Sequence, residues 1–331
     1  MREFIEQLNQ AMEQARFEMR NSLEAVQAEL NSKFLPYVDV RELHQRISDF
    51  RKLNFGLLSY RDMVQAIQQV VMFDTPNGTI SVLQPVSGQY PAGARFYRVR
   101  GIAKDDHTIP LRSMSKIDDC WEPPREVVPI GRLNKEHEPL LYTSPIDPRV
   151  AIDELKVPDG EWFSLIVYEA VEDVNVTIIG RQPDTEGIDD TDALKVEMLQ
   201  GFLRDEFTRD VGTGTEYLYR ISEIIAKNYF DLPPAMQDAW CYPSIVDKNK
   251  FNVAFRPNTR TKLRLIGVEI AKVIRMANGE PALEVVLVAK GNEGSDDLDY
   301  FQIGSPEQRE LFPWITKNKP AGAPDGSGVP S

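Results

Sequence analysis

Near Thr75 the hydrophobic period of this chain changes, and that change most constrains what it can fold into. Before it, apolar residues recur three or four apart: Phe4, Leu8, Met12, Ala15, Met19, Leu23, Val26 and Leu30, with Glu, Gln and Arg between them. No Gly or Pro interrupts before Pro36, which predicts one long helix. Leu43, Ile47, Phe50 and Leu53 mark a second helical face, weakened at Gly56. Ser59 with Asp62 has the form of a capping box opening a third helix through Met63, Ile67 and Val70. Asp74-Thr75-Pro76-Asn77-Gly78 is then a strong turn signal, and Pro and Gly recur until Gly93. Beyond it, short alternating or apolar runs over 95–99, 140–143, 162–170 and 174–179 read as strands. A helix is expected over 215–229, closed by Pro233-Pro234, and a hairpin around Asn278-Gly279 between 262–273 and 281–289.

Strands and helices mix without a βαβ rhythm, so the expected fold class is α+β with a mixed sheet, preceded by a helical N-terminal extension. The expected organisation is a helical extension over 1–75, a linker over 76–91, a central domain over 92–258, a β-rich C-terminal extension over 259–316 and a disordered tail over 317–331. A long helix rarely buries its whole stripe alone, so the extension is expected to pack with a contact to a second copy.

Composition narrows the function classes. The net charge of −13 argues against general affinity for nucleic acid, which needs surplus Lys and Arg along one face. Cys120 and Cys241 are far apart, and His44, His107 and His137 form no metal-binding spacing, so no metal site is expected. No apolar run approaches the length of a membrane span, and the start is acidic, unlike a signal peptide; a cytoplasmic protein is expected. The acidic 184–192 loop departs from the EF-hand spacing and reads as a solvated loop.

The densest polar cluster spans 129–155. It holds Gly131-Arg132-x-Asn134, Leu141-Tyr142-x-Ser144 and Ala151-x-x-Glu154, and Tyr242-Pro243-Ser244 follows far downstream. On residue types alone these have ordinary readings: Asp147-Pro148 is a common helix start, Glu154 a solvated helix residue and Arg132 a surface charge.

In order and spacing the four segments resemble the RES domain, an NAD-consuming family of bacterial toxin–antitoxin systems. Phe96-Tyr97-Arg98 upstream, Glu216-Tyr217-Leu218 before the serine, and Asn252 with Phe255 after it extend the resemblance over roughly residues 92–258. The chain departs from the family in carrying Leu133 where many members have an aromatic residue, and His137 where they have Gly. The resemblance implies an ADP-ribosyltransferase-like fold and a site that takes NAD as substrate and needs no metal. It implies Arg132, Tyr142, Glu154 and Ser244 as catalytic residues. Arg132, Tyr142, Asn134, Arg98 and Ser244 are the implied NAD contacts, Asn134 chiefly through ordering the turn beside Arg132. In that scheme Glu154 faces the ribosyl cation, Arg132 holds pyrophosphate or ribose oxygens, Tyr142 stacks on nicotinamide and Ser244 donates a hydrogen bond. The expected activity is cleavage of the nicotinamide–ribose bond by hydrolysis or phosphorolysis. One alternative is ADP-ribosyl transfer to a protein; another is a non-enzymatic helical interaction module with a decayed site. A cognate antitoxin and a homodimer through the N-terminal helices are the expected partners, with no nucleic acid or membrane.

Overall fold

The computed structural model describes residues 35–83, 85–106, 108–181, 189–275 and 281–315. The stripe from Phe4 to Leu30, His107, the Asn278-Gly279 turn, the 317–331 tail and residues 184–188 of the acidic loop lie outside the described residues. The fold is α+β, with helices and a multi-stranded sheet, and it divides into two compact units. The first comprises the described residues through Arg98, then Trp121–Lys156 and Tyr168–Arg264; the second comprises Val99–Cys120, Val157–Val167 and the described residues from Leu265 onward.

In the first unit, helix α1 (Val40–Arg51) starts where the Asp39 side chain accepts from the Glu42 amide, and it buries Leu43, Ile47 and Phe50. Leu53, grouped with that face in sequence, lies beyond the helix end. Helix α2 (Tyr60–Val71) opens with a complete capping box between Ser59 and Asp62 and buries Met63, Ala66, Ile67, Val70 and Val71. That box satisfies two amide donors that a helix start otherwise leaves open. Both helices share one core with Phe202, Leu203 and Ile225. The Phe50 ring lies 4.9 Å from Phe55 and 5.3 Å from Phe202.

Strands β1 (Met72–Thr75) and β2 (Gly78–Ser81) form a hairpin across the turn signalled in sequence. Within 76–91, for which a linker is expected, lie β2 and β3 (Val86–Tyr90), and β3 pairs antiparallel with β7 (Val174–Ile178). The sheet of this unit further uses the part of β4 (Arg95–Gly101) through Arg98, β5 (Leu141–Pro145), β8 (Ala239–Pro243) and β9 (Phe251–Phe255), in the order β4-β5-β9-β8-β7-β3. Helix α3 (Pro148–Leu155) follows β5, capped by Asp147 with Pro148 in its first turn. Helices α4 (Asp190–Thr208) and α5 (Tyr219–Tyr229) belong to the same unit, α5 being entered through the 3-10 turn Glu216–Leu218. Every residue of β8 is buried, Trp240 among them, so this short strand anchors the sheet by apolar burial.

The second unit holds β10 (Leu263–Arg275) from Leu265 on, β11 (Pro281–Gly291), β12 (Leu298–Gln302), the part of β6 (Trp162–Ala170) through Val167, and α6 (Pro306–Leu311). The β10–β11 pairing is the hairpin expected from sequence, interrupted by a register shift between Ile270 and Ala271. No helix among the described residues is long and apolar enough to cross a membrane.

Candidate active site

The register of the first unit's sheet explains how segments far apart in sequence meet. Tyr142 of β5 pairs with Ala254 of β9, and Asn252 of β9 pairs with Tyr242 of β8. The chain leaves β5, makes one turn and enters α3, which brings Glu154 back beside the ends of β8 and β9.

There Glu154 Oε1 accepts three hydrogen bonds: from Ser244 Oγ at 2.6 Å, from Asn252 Nδ2 at 2.6 Å and from the Ile245 amide at 3.2 Å. Its other oxygen, Oε2, has no hydrogen-bond partner among the described residues. Glu154 is half-buried, whereas Ser244 and Asn252 are 0% and 3% exposed, so the donors are fixed and the carboxylate is held by them. Ser144 Oγ donates to Asn252 Oδ1 at 2.8 Å. A hydroxyl donating to the oxygen of that amide leaves its nitrogen turned toward Glu154. Ser244 Oγ also accepts from the Val246 amide at 3.3 Å, and its single donor is taken up by Glu154.

Arg132 lies on the Gly131–Asn134 turn. Its Nη2 donates to the Arg209 carbonyl at 2.9 Å, and its guanidinium carbon lies 5.3 Å from the centre of the Tyr219 ring. Nη1 is buried and has no hydrogen-bond partner among the described residues. An unmatched buried donor of that kind costs about 1–3 kcal/mol, so it marks a position where an acceptor would bind favourably. Asn134 ties the turn together: its Nδ2 donates to the Pro129 and Lys135 carbonyls, both at 2.8 Å, and its Oδ1 accepts from Tyr142 Oη at 2.7 Å. Gly131 is required there, because a Cβ would lie 2.4 Å from Asn134 Oδ1 and 3.2 Å from the Tyr142 hydroxyl.

Tyr142 Oη also accepts from the Leu133 amide at 3.1 Å, so the phenol braces the turn at both ends. Burial raises its pKa above the ordinary tyrosine range, against the Leu133 hydrogen bond. Tyr242 is raised as well, by burial first and then by the Glu154 carboxylate and Tyr142, with Arg132 opposing. The Tyr142 and Tyr242 rings meet edge to face with centroids 6.4 Å apart.

The Arg98 guanidinium donates to the Trp121 carbonyl and makes no hydrogen bond to the other candidate residues among the described residues. Leu133 is fully buried in the core cluster. His137 takes a left-handed backbone with φ 64°, the conformation glycine adopts most easily. Cys241 is buried, which pushes its thiol up to about 12 against the contact with Tyr90, so it is no thiolate at neutral pH. No group of three or more His, Cys, Asp and Glu side chains among the described residues could hold a metal ion.

Sequence reasoning left Asn252, Tyr219, Arg209 and Tyr242 out of the candidate site. Tyr242 and Asn252 had entered only as parts of the resembling segments, and a hairpin read across 242–252 would have set them opposite each other. Nothing in the sequence marks the Arg209 carbonyl as an acceptor. Compared with known proteins, the chain matches no protein-family model and no curated protein.

Proposed function

We propose that this protein binds NAD and breaks its nicotinamide–ribose bond, as a RES-like member of the ADP-ribosyltransferase-related folds. The observation that carries this reading is the asymmetric hold on Glu154. Three donors fix Oε1 and leave Oε2 for a ligand, and Arg132, on the turn that Tyr142 braces, has a buried Nη1 without an acceptor among the described residues. His137 adds support, since the position where many RES members carry Gly has a glycine-like backbone.

In this mechanism Arg132 Nη1 donates to an anionic oxygen of the pyrophosphate and holds the dinucleotide. Glu154 Oε2 accepts from a ribose hydroxyl, with its charge close to the reacting sugar. The C1′–N bond breaks heterolytically; its electron pair goes to the pyridinium nitrogen, and neutral nicotinamide leaves without needing a proton. Positive charge moves onto C1′ and the ring oxygen of ribose, where the nearby carboxylate stabilises it. Water, phosphate or a protein nucleophile then bonds to C1′ and gives up its proton. Tyr142 and Asn134 act by keeping Arg132 in place, and Ser244 and Asn252 by keeping Glu154 in place. Hydrolysis, phosphorolysis and ADP-ribosyl transfer share every step up to the incoming nucleophile. Such an activity depletes or diverts NAD, which accords with a toxin restrained by an antitoxin protein.

The test is release of free nicotinamide from NAD by the full chain, with and without phosphate and with lysate proteins as acceptors. Release in water alone indicates hydrolysis, dependence on phosphate indicates phosphorolysis, and labelled lysate proteins indicate transfer. Glu154→Gln keeps an oxygen able to accept from Ser244, Ile245 and Asn252 but loses the charge. Turnover is expected to fall about 100-fold or more with the fold intact. A variant as active as the parent removes Glu154 from its role, and a folded parent that releases no nicotinamide under any condition removes the proposal.

A further inference from the structure

We infer that Tyr219 is a positioning residue that aims Arg132 at the anionic group of the substrate, an inference that rests on the NAD reading above. The guanidinium of Arg132 is constrained in two ways. Its face is covered by the Tyr219 ring at 5.3 Å, and Nη2 is bonded to the Arg209 carbonyl at 2.9 Å. A planar fork with one face covered and one nitrogen engaged keeps little rotational freedom, so buried Nη1 has a single direction in which to donate.

Both constraints are themselves anchored. Arg209 caps the end of α4, and its side chain grips the buried Glu206 carboxylate at 2.6 Å, which holds the accepting carbonyl still. Tyr219 is the first residue of α5, so its ring is set by a helix and not by a loop. Attraction between a cation and the face of an aromatic ring needs the ring and not the hydroxyl. An arginine ordered before the ligand arrives spares the ligand the entropy of ordering it. Tyr219 therefore acts on the affinity for the anionic group and leaves the bond-breaking step alone.

The experiment titrates the full chain and its Tyr219→Phe, Tyr219→Leu and Tyr219→Met variants calorimetrically with NAD and, separately, with inorganic pyrophosphate. Nicotinamide release supplies kcat and KM in parallel. Tyr219→Phe keeps the ring face and is expected to bind both ligands within about twofold of the parent. Tyr219→Leu and Tyr219→Met are expected to bind both about three- to tenfold more weakly, with KM rising by the same factor and kcat nearly constant. Equal binding by parent and Tyr219→Leu overturns the inference, as does a Phe variant as weak as the Leu variant, or a loss confined to kcat. Should the Leu variant fail to fold, the Met variant decides. If pyrophosphate follows the expected order while the parent releases no nicotinamide, the positioning role stands and NAD cleavage falls. A parent that binds neither ligand overturns both.

Discussion

Gly131 and His137 lie at either side of the turn that carries Arg132 and Asn134, and their backbones make opposite demands. At Gly131 any Cβ meets the Asn134 amide oxygen, so Gly131→Ala must displace a buried, hydrogen-bonded group. We expect it to lower stability by about 1–3 kcal/mol in chemical denaturation and to impair whatever Arg132 binds. At His137 the backbone already has positive φ, so His137→Gly relieves strain while giving up the ring contact to the Arg125 carbonyl. Its net effect is expected to stay within about 1 kcal/mol by the same measurement, and a larger loss would show that the imidazole contact matters more than the backbone. Asn252→Leu removes a donor from Glu154 and leaves the buried Ser144 hydroxyl without its acceptor. Nicotinamide release should fall in that variant along with stability; unchanged release would mean that Ser244 and the Ile245 amide hold Glu154 unaided. The residue types at Arg132, Glu154 and Ser244 were legible in the sequence because each belongs to a short ordered motif. Asn252 was noticed only as part of the resemblance and Tyr219 not at all, because their contribution depends on a cross-strand register and on a ring face, neither of which leaves a local pattern.

Among elements, α2 illustrates a local rule strong enough to read directly. Ser59 and Asp62 cap each other's backbone, and Ser59→Ala is expected to cost about 1 kcal/mol, measured as a lower denaturation midpoint. A wild-type midpoint in that variant would show that core burial by Met63 and Ile67 carries the helix end without help from the cap. Strand β6 was equally legible, since its apolar and aromatic run lies where expected, over Trp162–Ala170. Helix α4 was not read, although it is 19 residues long. Its inward side mixes Val196, Leu199, Phe202 and Phe207 with buried Lys195 and Glu206. Those charges are matched by the Leu35 carbonyl, Asp192 and Arg209, partners that the hydrophobic pattern does not record. Strand β3 was hidden for a different reason: Ser87, Gly88 and Gln89 give it a polar look, and it owes its place to pairing with β7 at the sheet edge.

Across the whole molecule, the net charge of −13 is combined with carboxylates that respond to pH in opposite senses. Burial raises Glu223 above its ordinary value of 4.5, with Lys135 opposing. A carboxyl raised on folding contributes stability that is fully present below that ordinary value and lost as pH rises through the folded one. Glu223→Gln should therefore be more stable than the parent at pH 8 and nearly equal to it at acid pH, checked by denaturation at both. Equal stability at pH 8 would show that Lys135 fully compensates the buried charge. Asp147 behaves inversely: burial pushes it up, but hydrogen bonds from Arg149 and Lys250 outweigh that and hold it down at about 2. Its contribution is present above the ordinary 3.8 and disappears as pH falls toward about 2. The grip on Glu154 also has a consequence for how the protein is made. Its side-chain donors, Ser244 and Asn252, lie 90 and 98 residues further along the chain. A ribosome thus delivers the carboxylate long before its holders, and a polypeptide ending short of Asn252 cannot yet hold it from both sides.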